Sequence, residues 1–328
     1  MGEFELLARV RERLGPPGPR VRVGSGDDAA VTVPGGATAT SVDAVVEGVH
    51  FERAQAAPTQ IGRKALGAAL SDLAAMGAEP GEAYVALGVP PDLDEEGCLE
   101  LVEGIAALAL ETGTTVAGGD VTRASALSLA VTVVGHAARA EQLIGRGGAE
   151  PGDVLVLSGE LGGAAAGLLL LRKPELAAGL PEETVARLRR RQLEPTPRLG
   201  AGLALARAGA RAMIDLSDGL GGDAGHLAAA SGVGLRIDAG ALPLAPGLEE
   251  LAAAAGLDPL RLAVSGGEDY ELLAALPPDR LEQARRLVAA GAEEVGLTRI
   301  GEAVAGAEVE IRLPGGGILD PVGFDQLG

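Results

Sequence analysis

Apolar residues recur at helical spacing from the start of the chain. Phe4, Leu7, Val10 and Leu14 fall on one face before Gly15-Pro16-Pro17 stops the helix. β-patterned runs follow at about 29–33, 37–46, 82–89 and 126–135, separated by helical stretches over 58–76 and 94–112. The first of these helices opens at Pro58 and aligns Ile61, Ala65, Ala69, Leu73 and Met76. It is so rich in Ala and Leu that most of its surface is expected to be buried. Around 137–152 the pattern breaks into a Gly-, Pro- and charge-rich stretch, which predicts a domain junction and two domains, 1–137 and 138–328. Beyond it come a strand over 154–157, the turn SGELGG, and helices near 183–192 and 197–208. A strand then ends at Asp215, a helix starts at about 219, and strands are expected near 234–238, 270–275, 295–300 and 307–312. Strand and helix alternate in both halves, so the fold class is α/β, or α+β layers. No period of 20–50 residues marks a solenoid.

Composition narrows this picture. A chain of 328 residues is long enough for two cores, and 47% hydrophobic with 22% charged residues is an ordinary globular balance. No apolar run reaches the roughly 20 residues of a membrane span, and MGEFELLARVRERL lacks the basic flank and apolar centre of a signal peptide. A single cysteine, Cys98, excludes an internal disulfide and fits a reducing, cytoplasmic setting. The net charge of -19 argues against nucleic-acid binding, and five aromatic residues are too few for a stacking groove. The acidity is mostly solvated surface, because the seven aspartates discussed below are a small part of 46 acidic residues.

Several enzyme classes drop out at once. The chain has no P-loop signature and no G-x-S-x-G elbow, and His50, His136 and His226 have no zinc-ligand spacing. The glycines of SGELGGAAAG follow a strand and open a helix, but they miss the dinucleotide spacing. Aspartate next to glycine at the ends of β-patterned runs remains: Asp27 and Asp28 before AAVTV, Asp43 in ATATSVDAVVEGVHF, Asp120 ending TTVAGGD, and Asp215 with Asp218 in MIDLSDGL. Taken singly, each reads first as a turn or cap residue. Asp72 differs, because it sits within the Ala/Leu-rich helix. A charge there must either pair, with Lys64 or an arginine, or bind a metal. Read jointly, the aspartates suit a hard cation such as Mg²⁺ that bridges carboxylates to substrate phosphates. Arg146 in the junction is either a surface arginine or a contact for a phosphate tail.

The motifs GSGDDAAV (24–31), SVDAVVEGVHF (41–51), GRKALGAALSDLAAMGAEP (62–80), AGGDVTR (117–123), IDLSDGLGGDAGHLAAASGVGLRID (214–238) and SGGEDYELL (265–273) occur in one order along nearly the whole chain. In this the sequence resembles the thiamine-monophosphate kinase family, within the superfamily of aminoimidazole ribonucleotide synthetase and selenophosphate synthetase. The resemblance implies an aminoimidazole ribonucleotide synthetase-like fold of two domains, a homodimer formed through the N-terminal sheet, and ATP bound between the domains. It implies direct in-line transfer of the ATP γ-phosphate to thiamine monophosphate with several Mg²⁺ ions and no phosphoenzyme, the last step of thiamine diphosphate biosynthesis.

By matching position, the resemblance makes Asp28, Ser41, Val42, Asp43, Asp72, Asp120, Asp215 and Asp218 metal ligands, with Asp43, Asp72 and Asp120 at the chemistry. Gly119, Asp120, Arg146 and Ser217 would contact the nucleotide, and His50, Glu268 and Phe324 the thiamine end. Val42 stands where the family often has Thr, so a contact there must come from its carbonyl. Phe324 stands at a position that takes Trp or Tyr in relatives, so a tyrosine hydroxyl contact is lost. A sibling enzyme with another ATP-dependent acceptor, or an acidic cation-binding protein without turnover, are the competing readings.

Overall fold

The computed structural model describes residues 3–16, 18–24, 29–291, 295–320 and 323. Asp27, Asp28 and Phe324 lie outside the described residues. The chain divides into two compact units, Met1–Leu73 with Ala78–Ala140, and Ala74–Gly77 with Glu141–Gly328. The division falls at 140/141, just beyond the junction expected at 137/138, and the end of one helix counts with the second unit. Among the described residues no helix is long and apolar enough to cross a membrane.

The first unit runs α1 (Glu3–Leu14), β1 (Val21–Val23), β2 (Val31–Thr32), β3 (Ala37–Val46), α2 (Pro58–Ala75), β4 (Glu79–Val89), α3 (Glu95–Thr112), β5 (Thr115–Arg123) and β6 (Ser128–Ala137). Its main sheet has the order β3-β6-β4-β5, with β4 and β5 parallel and the other pairs antiparallel. Strand alternation sorts the side chains. Val45, Leu87, Leu129, Val131 and Val133 are buried on one face, whereas Thr38, Thr40, Val42, Ala44 and Ala86 on the other are exposed. Leu73 of α2 reaches Gly135 on the buried face, and Leu6, Cys98 and Leu99 of α1 and α3 cluster there with Val89 and Val121. The Ala/Leu-rich α2 is buried along most of its length, as its composition predicts. It lies hard against α3: a Cβ on Gly104 would sit 1.8 Å from the Thr59 carbonyl oxygen, and one on Gly62 would sit 2.0 Å from that of Leu101. Asp94 caps α3, its carboxylate accepting the Gly97 N–H, and Gly113 ends the helix in the left-handed region.

The second unit continues with β7 (Val154–Ser158), α4 (Gly163–Arg172), α5 (Glu182–Leu193), α6 (Leu199–Ala208), β8 (Ala212–Asp215), α7 (Leu220–Ser231), β9 (Gly234–Asp238), α8 (Leu248–Ala255), α9 (Pro259–Ser265), β10 (Leu272–Leu276), α10 (Leu281–Ala289), β11 (Leu297–Val304), β12 (Val309–Arg312) and β13 (Ile318–Leu319). The sheet order is β13-β12-β9-β11-β7-β10-β8, antiparallel except for the parallel pair β12–β9. β7, β8 and β10 are buried at every position, which is why VLVL, AMI and LLAAL within them read as apolar runs. The helices α8, α9 and α10 were not separated by the sequence pattern. They span seven to nine residues, too few turns for a 3.6-residue period to stand out.

Candidate active site

In the first unit the chemistry gathers where β3 meets α2. Ser41 and Asp43 are two residues apart on β3 and therefore share a face, the one packed against α2. Across from them Asp72 projects from α2, and the Ser41 hydroxyl donates to its carboxylate. The Asp43 carboxyl is pushed up to about 6, first by burial and then by the negative charge of Asp72. Two carboxylates held together in this way are costly without a cation, and their hard oxygen donors with the Ser41 hydroxyl fit Mg²⁺. Val42 points the other way and is 63% exposed. It lies on an edge strand, so part of that strand's backbone is unpaired within the sheet.

His50 sits in the turn after β3. Its Nδ1 accepts the Val46 N–H at 3.1 Å, which in the neutral ring leaves the proton on Nε2. Glu47 fixes the same turn, receiving Arg53 at 2.7 Å and the Leu127 N–H at 3.2 Å.

Gly119 and Asp120 are placed differently from the sequence reading. β5 continues to Arg123, so Asp120 lies within the strand rather than at its end. Register runs from Asp43 through Val131 and Val85 to Gly119, which puts Asp43 and Asp120 on opposite edges of the sheet and opposite faces. Three strand spacings of about 4.8 Å separate the edges by about 14 Å. A single chain does not bring Asp120 to Asp43.

In the second unit Asp215 ends β8, buried, and Ser217 and Asp218 follow in the turn into α7. This turn is braced by a residue that sequence reasoning did not single out. Asp223, in the first turn of α7 and buried, accepts the Asp218 N–H at 3.0 Å. Burial and then Asp215 push its carboxyl up to about 7, against the backbone hydrogen bonds from Asp218 and Ser217. Among the described residues no three His, Cys, Asp or Glu side chains form a ready-made metal cage. A Mg²⁺ bound here would need other oxygens to complete its shell, such as those of a phosphate. Arg146 is exposed, and its carbonyl accepts the Ser231 hydroxyl at 3.2 Å, tying the junction to the end of α7.

Glu268 belongs to the segment between α9 and β10. Glu268 (φ 66°) and Tyr270 (φ 50°) are the non-glycine residues at positive φ among those described. Such conformations cost about 1–3 kcal/mol each and persist only where neighbours hold them. Here the Glu268 N–H donates to the Ser217 carbonyl at 2.8 Å and the Tyr270 N–H to that of Leu216 at 2.9 Å. Asp269 is buried and accepts the N–H groups of Gly162 and Ala164 at 2.6 and 3.0 Å. Burial still pushes its carboxyl up to about 6, against the opposing pull of Arg191 and those N–H groups. The turn SGELGG is thereby explained, since the anion-seeking start of α4 is filled by the chain's own carboxylate. Glu271, fully buried, receives Arg198 in a two-pronged contact at 2.6 and 2.8 Å, Arg191 at 2.9 Å and the Ser158 hydroxyl at 2.7 Å. This geometry also delays β10 to Leu272, two residues after the expected start. The missed signal was an acid directly before the apolar run LLAAL, the same anomaly that singled out Asp72.

Residues 26–137 match the N-terminal domain of AIR synthase related proteins, and residues 150–314 match their C-terminal domain. The chain is 41% identical over 280 residues to the thiamine-monophosphate kinase of Mycobacterium tuberculosis, covering 84% of this chain and 80% of that protein. It superposes on the crystal structure of thiamine-monophosphate kinase from Stenotrophomonas maltophilia K279a with a TM-score of 0.83 at 37% identity, covering 96% and 98% of the two chains. AaThiL complexed with AMPPCP and TMP matches with a TM-score of 0.76 at 30% identity, over 98% and 96% of the chains.

Proposed function

Because the chain belongs to the thiamine-monophosphate kinase family of AIR synthase related proteins, we propose that it phosphorylates thiamine monophosphate with ATP to give thiamine diphosphate and ADP. The observation that carries the chemistry is the Asp43–Asp72 pair, two carboxylates whose mutual repulsion a hard cation relieves. Bound Mg²⁺ supplies charge neutralisation on the phosphates. Ser41, Asp43 and Asp72 hold it in the first unit, with the Val42 carbonyl, and Asp215 and Asp218 serve the same role in the second. Asp28 joins the metal ligands and Phe324 packs on the substrate's rings, both by family position. Phosphoryl transfer asks mainly for positioning and charge stabilisation, which suits a direct in-line displacement without a covalent intermediate.

Gly119, Asp120, Arg146 and Ser217 contact the nucleotide. His50, with its proton on Nε2, and Glu268 meet the acceptor. A homodimer formed through the exposed face of the first unit's sheet covers Val42 and Ala44. The setting for this reaction is cytoplasmic.

A coupled assay with ATP, Mg²⁺ and thiamine monophosphate tests the reading by following thiamine diphosphate and ADP together. ADP release that ignores thiamine monophosphate, or activity that survives complete removal of divalent cations, would overturn it.

A further inference from the structure

We infer that Gln192 is a positioning residue for the acceptor, acting by aiming the Glu268 carboxylate; this rests on the reading of Glu268 as an acceptor contact. Gln192 lies in the last turn of α5, is 4% exposed, and its Nε2 donates to Glu268 Oε2. Its own place is fixed by close helix packing. At Gly167 of α4 an added Cβ would sit 2.9 Å from the Gln192 Cβ and 2.1 Å from the Leu188 carbonyl oxygen. The backbone of Glu268 is fixed as well, by the Ser217 carbonyl, the Asp269 contacts to α4 and the Glu271 ion pairs. What the backbone does not fix is the Glu268 side chain, with three rotatable bonds, and Gln192 restricts it.

The chemistry of the partner matters. An arginine in this place would neutralise the carboxylate. The neighbouring Arg191 is instead committed to Glu271 and to the Asp269 carbonyl, at 2.9 and 3.1 Å. A neutral amide orients the carboxylate without cancelling its charge, which suits contact with a ligand that is cationic or rich in donors. Thiamine monophosphate, with a positively charged thiazolium ring and an aminopyrimidine, is of that class.

The test is a double-mutant cycle with Gln192→Met, an unbranched replacement of similar length, and Glu268→Ala. Q192M should raise the thiamine monophosphate KM about tenfold while kcat and the ATP KM stay near wild type. In the Glu268→Ala background the same change should add nothing. A merely structural role would instead lower kcat or act equally in both backgrounds, and either result would overturn the inference. Retained KM in Q192M beside a raised KM in Glu268→Ala would also overturn it. Retained KM in Glu268→Ala would show that the acceptor reading of Glu268 itself fails, while leaving the kinase activity standing. Should Q192M not fold, Gln192→Glu, which places a like charge against Glu268, must still raise the acceptor KM selectively.

Discussion

Both units concentrate carboxylates, and two of the clusters, one in each unit, treat them in opposite ways. At β3 and α2 in the first unit, Asp43 and Asp72 face each other with a serine hydroxyl between strand and helix. At Asp269 and Glu271 in the second, Glu271 is met by two arginines and a serine, and Asp269 by two backbone N–H groups. The second arrangement is saturated from within and spends its charge on shape, holding a backbone that would otherwise relax. The first is left electrostatically unsettled, which is the condition of a site that receives its positive charge from outside. An acidic residue in an apolar element therefore signals that something pairs with it, and the sequence alone does not say whether that partner is protein or ligand.

Substitutions sharpen the contrast. Asp43→Asn should lower turnover by at least about a hundredfold, more than the ten- to hundredfold effect of losing an outer-shell partner, while the fold survives. Steady-state kinetics at saturating Mg²⁺ would decide, and near-normal kcat would remove Asp43 from the metal ligands. Glu271→Ala should act on stability first. It strips the counter-charge from Arg198 and Arg191 and should cost about 3 kcal/mol in denaturant unfolding. A loss under 1 kcal/mol would mean that the positive-φ segment is held by its backbone contacts alone.

A smaller effect comes from pH. The carboxyl of Asp43 is raised in the folded state from 3.8 to about 6, so the folded chain binds its proton more tightly than the unfolded chain does. The stability this confers is fully present below about pH 3.8 and is lost as pH rises through about 6. In chelator, Asp43→Asn should therefore match the wild type near pH 4 and melt higher than it at pH 7. Added Mg²⁺ at pH 7 should narrow that gap by stabilising the wild type. A variant that melts lower than wild type at pH 7 without metal would show that Asp43 is stabilised by protein contacts, as Glu271 is.

The sequence by itself determined much of this protein. Element periods followed from which positions are apolar, because a buried helix stripe and an alternating strand leave their spacing in the chain. The misfit of Asp72 in an Ala/Leu helix marked the first site, and the order of the acidic motifs marked the family. Only the tertiary structure decided which aspartates meet. Asp43 and Asp120 look equivalent in sequence, yet strand order puts them on opposite edges and faces of one sheet. Asp223 and Glu271 sit inside quoted motifs, yet they act through the Asp218 N–H and through Arg198, contacts fixed by packing around them. The physical reason is range. Local pattern records the burial of each element against its neighbours. Charge pairing depends on distances of a few ångströms between elements far apart in the chain, and those are set only when the sheet order and the helix packing are complete.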